Sequence, residues 1–181
     1  MMIQTPRLNL ILLSAEQLAT GLRSVEDLAH QLGIYLVPDL FSGKVQRAVQ
    51  MKLSKMEGQP LDELPWVTYW LIVIREDGMG VGTVGFKGVP DGQGEVEIGY
   101  GIDPLYQGKG FMTEAVKAMV AWAFSKPECL TVTAVLSAPD NFASHRVLEK
   151  SGFTRFYSGH DGVSYRLERK NWTPHDGKFT L

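Results

Sequence analysis

A single cysteine, Cys129, stands among 181 residues, so no internal disulfide and no cysteine-rich metal site can form. Its place at the start of an expected strand, with no activating partner nearby in sequence, marks it as a buried structural thiol. The four histidines, His30, His145, His160 and His175, show no metal-ligand spacing, and no metal is expected. The longest apolar run, Val67 to Ile74, is far too short to span a bilayer, and the N-terminus lacks a charged-then-apolar signal design. A cytoplasmic protein without a membrane partner is the expectation, and the sequon Asn171-Trp172-Thr173 then has no function. Charge of one sign is also missing: 18 basic against 20 acidic residues leave a net charge of −2, which gives no electrostatic case for a nucleic-acid partner. No repeat or low-complexity segment appears. What is present is 44% hydrophobic residues, enough for one domain spanning residues 1–181 with a substantial core.

Period-two and helical patterns give the order of elements. Arg7 to Leu13 reads as a first strand with Leu8, Leu10 and Leu12 on one side, opened by Thr5-Pro6. Ser14-Ala15-Glu16-Gln17 is a capping box, and Leu18, Leu22 and Val25 continue on one helical face. From residue 34 to 65 the pattern loosens around Pro38, Gly43, Gly58, Pro60 and Pro65, with one short helix expected between Val45 and Met56. Val67 to Arg75 is β-branched and aromatic, and Val81 to Lys87 pairs with it across Glu76-Asp77-Gly78, a tight-turn sequence. Gly94 to Ile102 follows as the next antiparallel strand. A helix, a strand (Leu130 to Leu136), a helix (Asn141 to Lys150) and two more strands (Phe153 to Tyr157, Val163 to Glu168) complete an α+β or mixed α/β fold of about seven strands.

Chemistry concentrates between Glu95 and Thr113. Val96, Ile98, Tyr100 and Ile102 alternate with Glu95, Glu97, Gly99 and Gly101 as a strand, Asp103-Pro104 stops it, and Met112, Ala115, Val116, Met119 and Trp122 fall at helical spacing. The glycine-rich turn Gln107-Gly108-Lys109-Gly110 therefore lies at a helix N-terminus, where unpaired N–H groups and the helix dipole favour an anion. A nucleotide-hydrolase P-loop is excluded, because Gly110 is followed by Phe111 and Met112. A literal dinucleotide fingerprint, Gly80-Val81-Gly82-Thr83-Val84-Gly85, leads into turn residues instead of a helix, so its confirming context is missing.

Gln107 to Met112 resembles the Q/R-x-x-G-x-G/A pyrophosphate loop of the GCN5-related N-acetyltransferase superfamily, preceded as there by an acidic residue on the strand and by Asp-Pro-x-Tyr. Met112 departs from the Gly or Ala usual at that position. Asn141 to Phe153 resembles the second signature of the family, in the form of its ribosomal-protein N-terminal acetyltransferase (RimJ/RimL-like) branch, and Thr5-Pro6-Arg7-Leu8 is similar to the start of that branch. The resemblance implies a splayed, mostly antiparallel sheet flanked by helices and transfer of acetyl from acetyl-coenzyme A to an amine. It places the wall of the acceptor cleft in residues 34–65; a surface insertion without a role is the competing reading.

Such a reaction needs a pyrophosphate cradle, a hold on the pantetheine arm, an oxyanion stabiliser and a base. Gln107, Gly108, Lys109, Gly110, Phe111 and Met112 form the expected cradle, with Lys109 at its rim. Backbone groups of Tyr100, Gly101 and Ile102 can pair with the arm and stabilise an oxyanion. Asn141 matches the family residue that bonds the arm, and it is also a plain N-cap. Glu97 is the expected base, with Glu95 on the same face as an open alternative. Where many relatives have a tyrosine acid this chain has Leu148; Ser144 and Tyr157 are the candidates for that role, and a thiolate leaving group, with a pKa near about 8.5, makes the acid dispensable. The acceptor is a protein N-terminus or a small amine such as a polyamine or aminoglycoside, and a non-catalytic acetyl-coenzyme A sensor is the remaining alternative. Monomer and homodimer stay equally open.

Overall fold

The computed structural model describes residues 1–136, 138, 140–160 and 162–173; His175 lies outside them. Strands β1 (Met2–Gln4) and β2 (Leu8–Leu12) pair antiparallel about the Thr5–Arg7 turn. Helix α1 (Ala15–Arg23) begins at the expected capping box: Gln17 N–H donates to Ser14 Oγ at 3.1 Å, and Ser14 N–H donates to Gln17 Oε1 at 2.9 Å. Helix α2 (Val25–Leu32) stops at Gly33, whose φ of 66° is the left-handed conformation that glycine adopts without strain. Next come β3 (Tyr35–Leu36), α3 (Lys44–Met56) and α4 (Leu64–Val67). Strands β4 (Trp70–Ile74), β5 (Met79–Phe86) and β6 (Glu95–Ile102) follow, then α5 (Phe111–Phe124), β7 (Thr131–Leu136), α6 (Phe142–Lys150), β8 (Thr154–Gly159) and β9 (Gly162–Glu168).

Among the described residues the sheet has nine strands where the sequence pattern gives seven, in the order β1-β2-β4-β5-β6-β7-β9-β8, with β3 pairing β5. The two additional strands are β1 and β3, of 3 and 2 residues, too short to show a period. A second difference lies at Val67, expected as the start of a strand and found at the end of α4. Pro65 in the first turn of that helix presets its φ, and Trp66 is buried against Trp122 and Phe86, with ring centroids 4.5 and 5.0 Å away. Trp70 joins the same cluster from β4. These rings, with Ala115, Ala118 and Met119 of α5, form the core between that helix and the centre of the sheet.

Among the described residues the strand pairs are antiparallel except β3–β5 and β6–β7. On β5, Gly82 faces Ile102, and a Cβ there would lie 2.3 Å from the Gly101 carbonyl oxygen. Backbone cannot yield as a side-chain tip can. Gly82→Ala is expected to destabilise the protein by at least about 1 kcal/mol in urea unfolding; an unchanged midpoint would refute the tight approach of β5 to the end of β6.

Candidate active site

Strand β6 is paired on one edge with β5 along Ile98–Ile102. On its other edge it pairs β7 only from Glu95/Thr131 to Glu97/Thr133. Strand β7 instead stays with β9 out to Leu136. Past Glu97 the two strands separate, and among the described residues the open edge of β6 from Ile98 to Ile102 has no strand against it. An extended ligand with amide groups finds free backbone partners in such a gap.

One cavity opens at this gap between the head of α5 and the face of α6. It is lined by Tyr100, Gly101 and Ile102, by Gln107, Gly108 and Gly110 of the turn, and by Phe111, Met112 and Asn141. Gly108 and Gly110 have φ of 75° and 81°, which only glycine holds without strain. Gly110 is the N-cap of α5 and no side chain caps that helix, so its first-turn N–H groups face the turn. The Met112 side chain is buried in the core. Gln107 donates through Nε2 to the Ile102 carbonyl at 3.4 Å. Lys109 is not in the lining: its Nζ sits 5.0 Å above the Tyr106 ring, and its carbonyl accepts from Arg7 Nη1 at 3.0 Å.

On α6, Asn141 Oδ1 accepts from Ser144 N–H at 3.1 Å, an N-cap bond, and still borders the cavity. Ser144 borders it too, and its carbonyl accepts from the Tyr100 hydroxyl at 3.3 Å. Burial pushes the Tyr100 phenol well above the ordinary tyrosine range. Sequence reasoning missed Arg146 and Lys150, which also line this cavity. Their spacing of four places both cations on one face of α6 beside a site suited to phosphates, a signal present in the sequence.

A second cavity lies across β6. Val37, Asp39, Leu40, Val45 and Ala48 form one wall; Tyr69, Thr83, Gly99 and Gly101 lie opposite. The two cavities share Tyr100, Gly101 and Ile102, so they meet where β6 leaves β7. A Cβ at Gly99 or Gly101 would meet nothing within 4 Å, and the cleft floor is bare backbone. The only acids in its lining, among the described residues, are Asp39 and Asp103, and Asp103 accepts from Leu105 N–H at 2.9 Å.

Glu95 and Glu97 lie on the Gly99 and Gly101 side of β6, outside the lining of either cavity. Glu97 pairs with Lys87 Nζ at 2.5 Å and is 26% exposed. Glu95 is exposed and sits opposite Thr131. Tyr157 is on the edge strand β8, away from both cavities. Burial pushes the Cys129 thiol up to about 11, an inert setting for it. Among the described residues no group of three or more His, Cys, Asp or Glu side chains is placed to hold a metal ion, and no helix is long and apolar enough to cross a membrane.

Comparison with known proteins gives a consistent picture. Residues 18–154 match the family model described as an acetyltransferase (GNAT) domain. Over 84 residues the chain is 37% identical to the uncharacterized N-acetyltransferase YjdG of Bacillus subtilis (strain 168), a match covering 46% of this chain and 49% of that one. The chain spans about half the length of the curated relatives it matches. Among solved structures, an acetyltransferase of the GNAT family from Bacillus anthracis aligns with a TM-score of 0.63 at 19% identity, covering 94% of this chain and 99% of that one. The ribosomal L7/L12 α-N-protein acetyltransferase RimL, in complex with coenzyme A, aligns with a TM-score of 0.63 at 18% identity, covering 93% and 98%. Structures this distant in sequence establish the fold.

Proposed function

The chain belongs to the GCN5-related N-acetyltransferase family, its match to the family model running from residue 18 to 154, and from that membership we propose that it transfers the acetyl group of acetyl-coenzyme A to a primary amine by direct attack in a ternary complex. The observation that carries this reading is the meeting of two cavities at Tyr100–Ile102, one beside an uncapped helix N-terminus and one on the opposite side of β6. Donor and acceptor can then occupy the protein together, as direct attack requires.

In this reading the first-turn N–H groups of α5 and the Gly108–Gly110 turn hold the diphosphate, with Arg146 and Lys150 adding charge. The open edge of β6 and Asn141 hold the pantetheine arm. Acetyl-coenzyme A supplies the activated acetyl group. Backbone N–H groups at Tyr100–Ile102 stabilise the negative charge that develops on the carbonyl oxygen, each donor being worth about 3 kcal/mol in measured cases. Glu97 takes the amine proton through water, and Ser144, which borders the donor cavity as Tyr157 does not, is the better-placed proton donor to the leaving sulfur.

The acceptor is an amine on a largely uncharged carrier, best a protein N-terminus. Among the described residues two acids and no cation line the cleft, and most of its wall is aliphatic. A polycationic drug calls for more carboxylates, whereas one α-amine, with a pKa near about 8, needs few and gives up its proton more readily than lysine. The name of the RimL neighbour, an α-N-protein acetyltransferase, is in keeping with this choice. The test is coenzyme A release measured with acetyl-coenzyme A and a panel of N-terminal peptides, polyamines and aminoglycosides. Turnover with peptides is expected. Turnover with polyamines alone would overturn the acceptor assignment, and binding without turnover on any amine would favour a sensor.

A further inference from the structure

We infer that Arg7, at the mouth of β2 and more than one hundred residues away in sequence, is a positioning residue for the pyrophosphate turn, an inference that rests on the acetyl-coenzyme A reading above. Three contacts converge on its guanidinium. Nη1 donates to the Lys109 carbonyl at 3.0 Å, in the middle of the turn. Nε donates to Glu114 Oε2 at 2.7 Å, in the first turn of α5. The group also lies 4.8 Å over the Phe111 ring, at the first residue of that helix. One side chain thus clamps both the turn and the helix start whose N–H groups are to meet the diphosphate.

Glu114 gives the clamp an electrostatic purpose. A carboxylate in the first turn of a helix is favourable to the dipole, but within one turn of a bound diphosphate it is a like charge. Three donors occupy it: Arg7 Nε on one oxygen, and Thr5 Oγ1 at 2.6 Å and Arg7 N–H at 2.9 Å on the other. Its charge is compensated at the helix end where an anion is to bind. Without Arg7 the turn loses its tether and Glu114 opposes the ligand.

The backbone of the Thr5–Arg7 turn is held independently of the Arg7 side chain. Arg75 Nη1 donates to the Thr5 carbonyl at 3.0 Å, Arg75 N–H donates to the Arg7 carbonyl at 3.0 Å, and Thr5 and Leu8 bond each other. Substitution of the side chain should therefore leave the fold in place.

The experiment measures acetyl-coenzyme A affinity by calorimetry, and turnover of S-acetylpantetheine, which lacks the diphosphate, for the wild type, Arg7→Gln, Glu114→Gln and the double variant. Loss of charge-assisted hydrogen bonds should weaken acetyl-coenzyme A binding roughly tenfold or more in Arg7→Gln, while S-acetylpantetheine kcat/KM stays within about twofold and the thermal midpoint is kept. Removing the opposing carboxylate in the double variant should restore about threefold of that loss, an effect that fades at high salt. Arg7→Lys, keeping the charge but not the fork, should fall between. Equal losses for both donors, or an Arg7→Gln affinity equal to wild type, would overturn the inference. A wild type that does not bind acetyl-coenzyme A would instead overturn the reading on which it rests.

Discussion

Glu97→Gln should lower kcat by about 100-fold, the lower end of what general-base catalysis contributes, while acetyl-coenzyme A affinity stays within about twofold. Glu97 precedes Gly99 by two residues on the same face of β6, and Gly99 lines the second cavity, the proposed acceptor cleft. At about 3.3 Å of rise per residue the two Cα atoms lie about 7 Å apart, a gap that a glutamate side chain and one water can bridge. Glu95, four residues from Gly99, lies about 13 Å away, so Glu95→Gln should change kcat less than about threefold, well short of a general-base effect. The Lys87–Glu97 pair is partly exposed on both sides, and its loss should cost at most about 1 kcal/mol of stability. Lys87→Met removes the same pair without removing the carboxylate. Activity surviving in Lys87→Met and collapsing in Glu97→Gln assigns the proton transfer to Glu97; equal losses in both would mean that the ion pair matters only for strand geometry, and normal activity in Glu97→Gln would remove it from the reaction altogether.

The strand, turn and helix from Glu95 to Phe124 were legible because each announces itself locally: alternation, then Asp-Pro and paired glycines, then a helical apolar stripe. The end of the β6–β7 pairing was legible only through the family resemblance, not in the residue pattern. Nothing changes in the alternation at Ile98, since the separation is set by β7 staying in register with β9, a contact between residues far apart in sequence. Likewise the wall from Val37 to Ala48 carries helix and turn signals but no sign of which strand it will face. Val67 misled for the converse reason: its β-branched, aromatic surroundings favour a strand, and burial of Trp66 among Phe86 and Trp122 overrode that preference. Arg7 read as the start of a strand and as part of the Thr5-Pro6-Arg7-Leu8 opening, with no sign of its contacts, because its partners Lys109 and Glu114 lie more than one hundred residues away in sequence.

Lys52 was the residue least foreseeable, and it yields the second large effect. On α3 it is 6% exposed; its Nζ donates to the Phe86 carbonyl and lies 5.0 Å over the ring of Tyr69, a side chain that lines the second cavity. Burial first, then repulsion from Lys55 and Lys87, lowers its pKa from 10.5 to about 7. The sign of the consequence follows from proton counting. Below pH 7 the amine is charged in both folded and unfolded chains, and the full cost of burying the cation is present. Between about 7 and 10.5 the unfolded chain holds a proton that the folded chain has released, so stability rises with pH. From pH 7 to 9 this amounts to about 2 kcal/mol, at 1.36 kcal/mol per pH unit less the part still titrating near 7. Lys52→Met keeps an unbranched stem and has no proton to release. Urea unfolding of both proteins at pH 6, 7, 8 and 9 should show the variant at least as stable as wild type at pH 6, with wild type gaining on it by about 2 kcal/mol between pH 7 and pH 9. Parallel profiles would mean that the Lys52 ammonium keeps its solvation in the folded protein, and that water reaches the space between α3 and the end of β5.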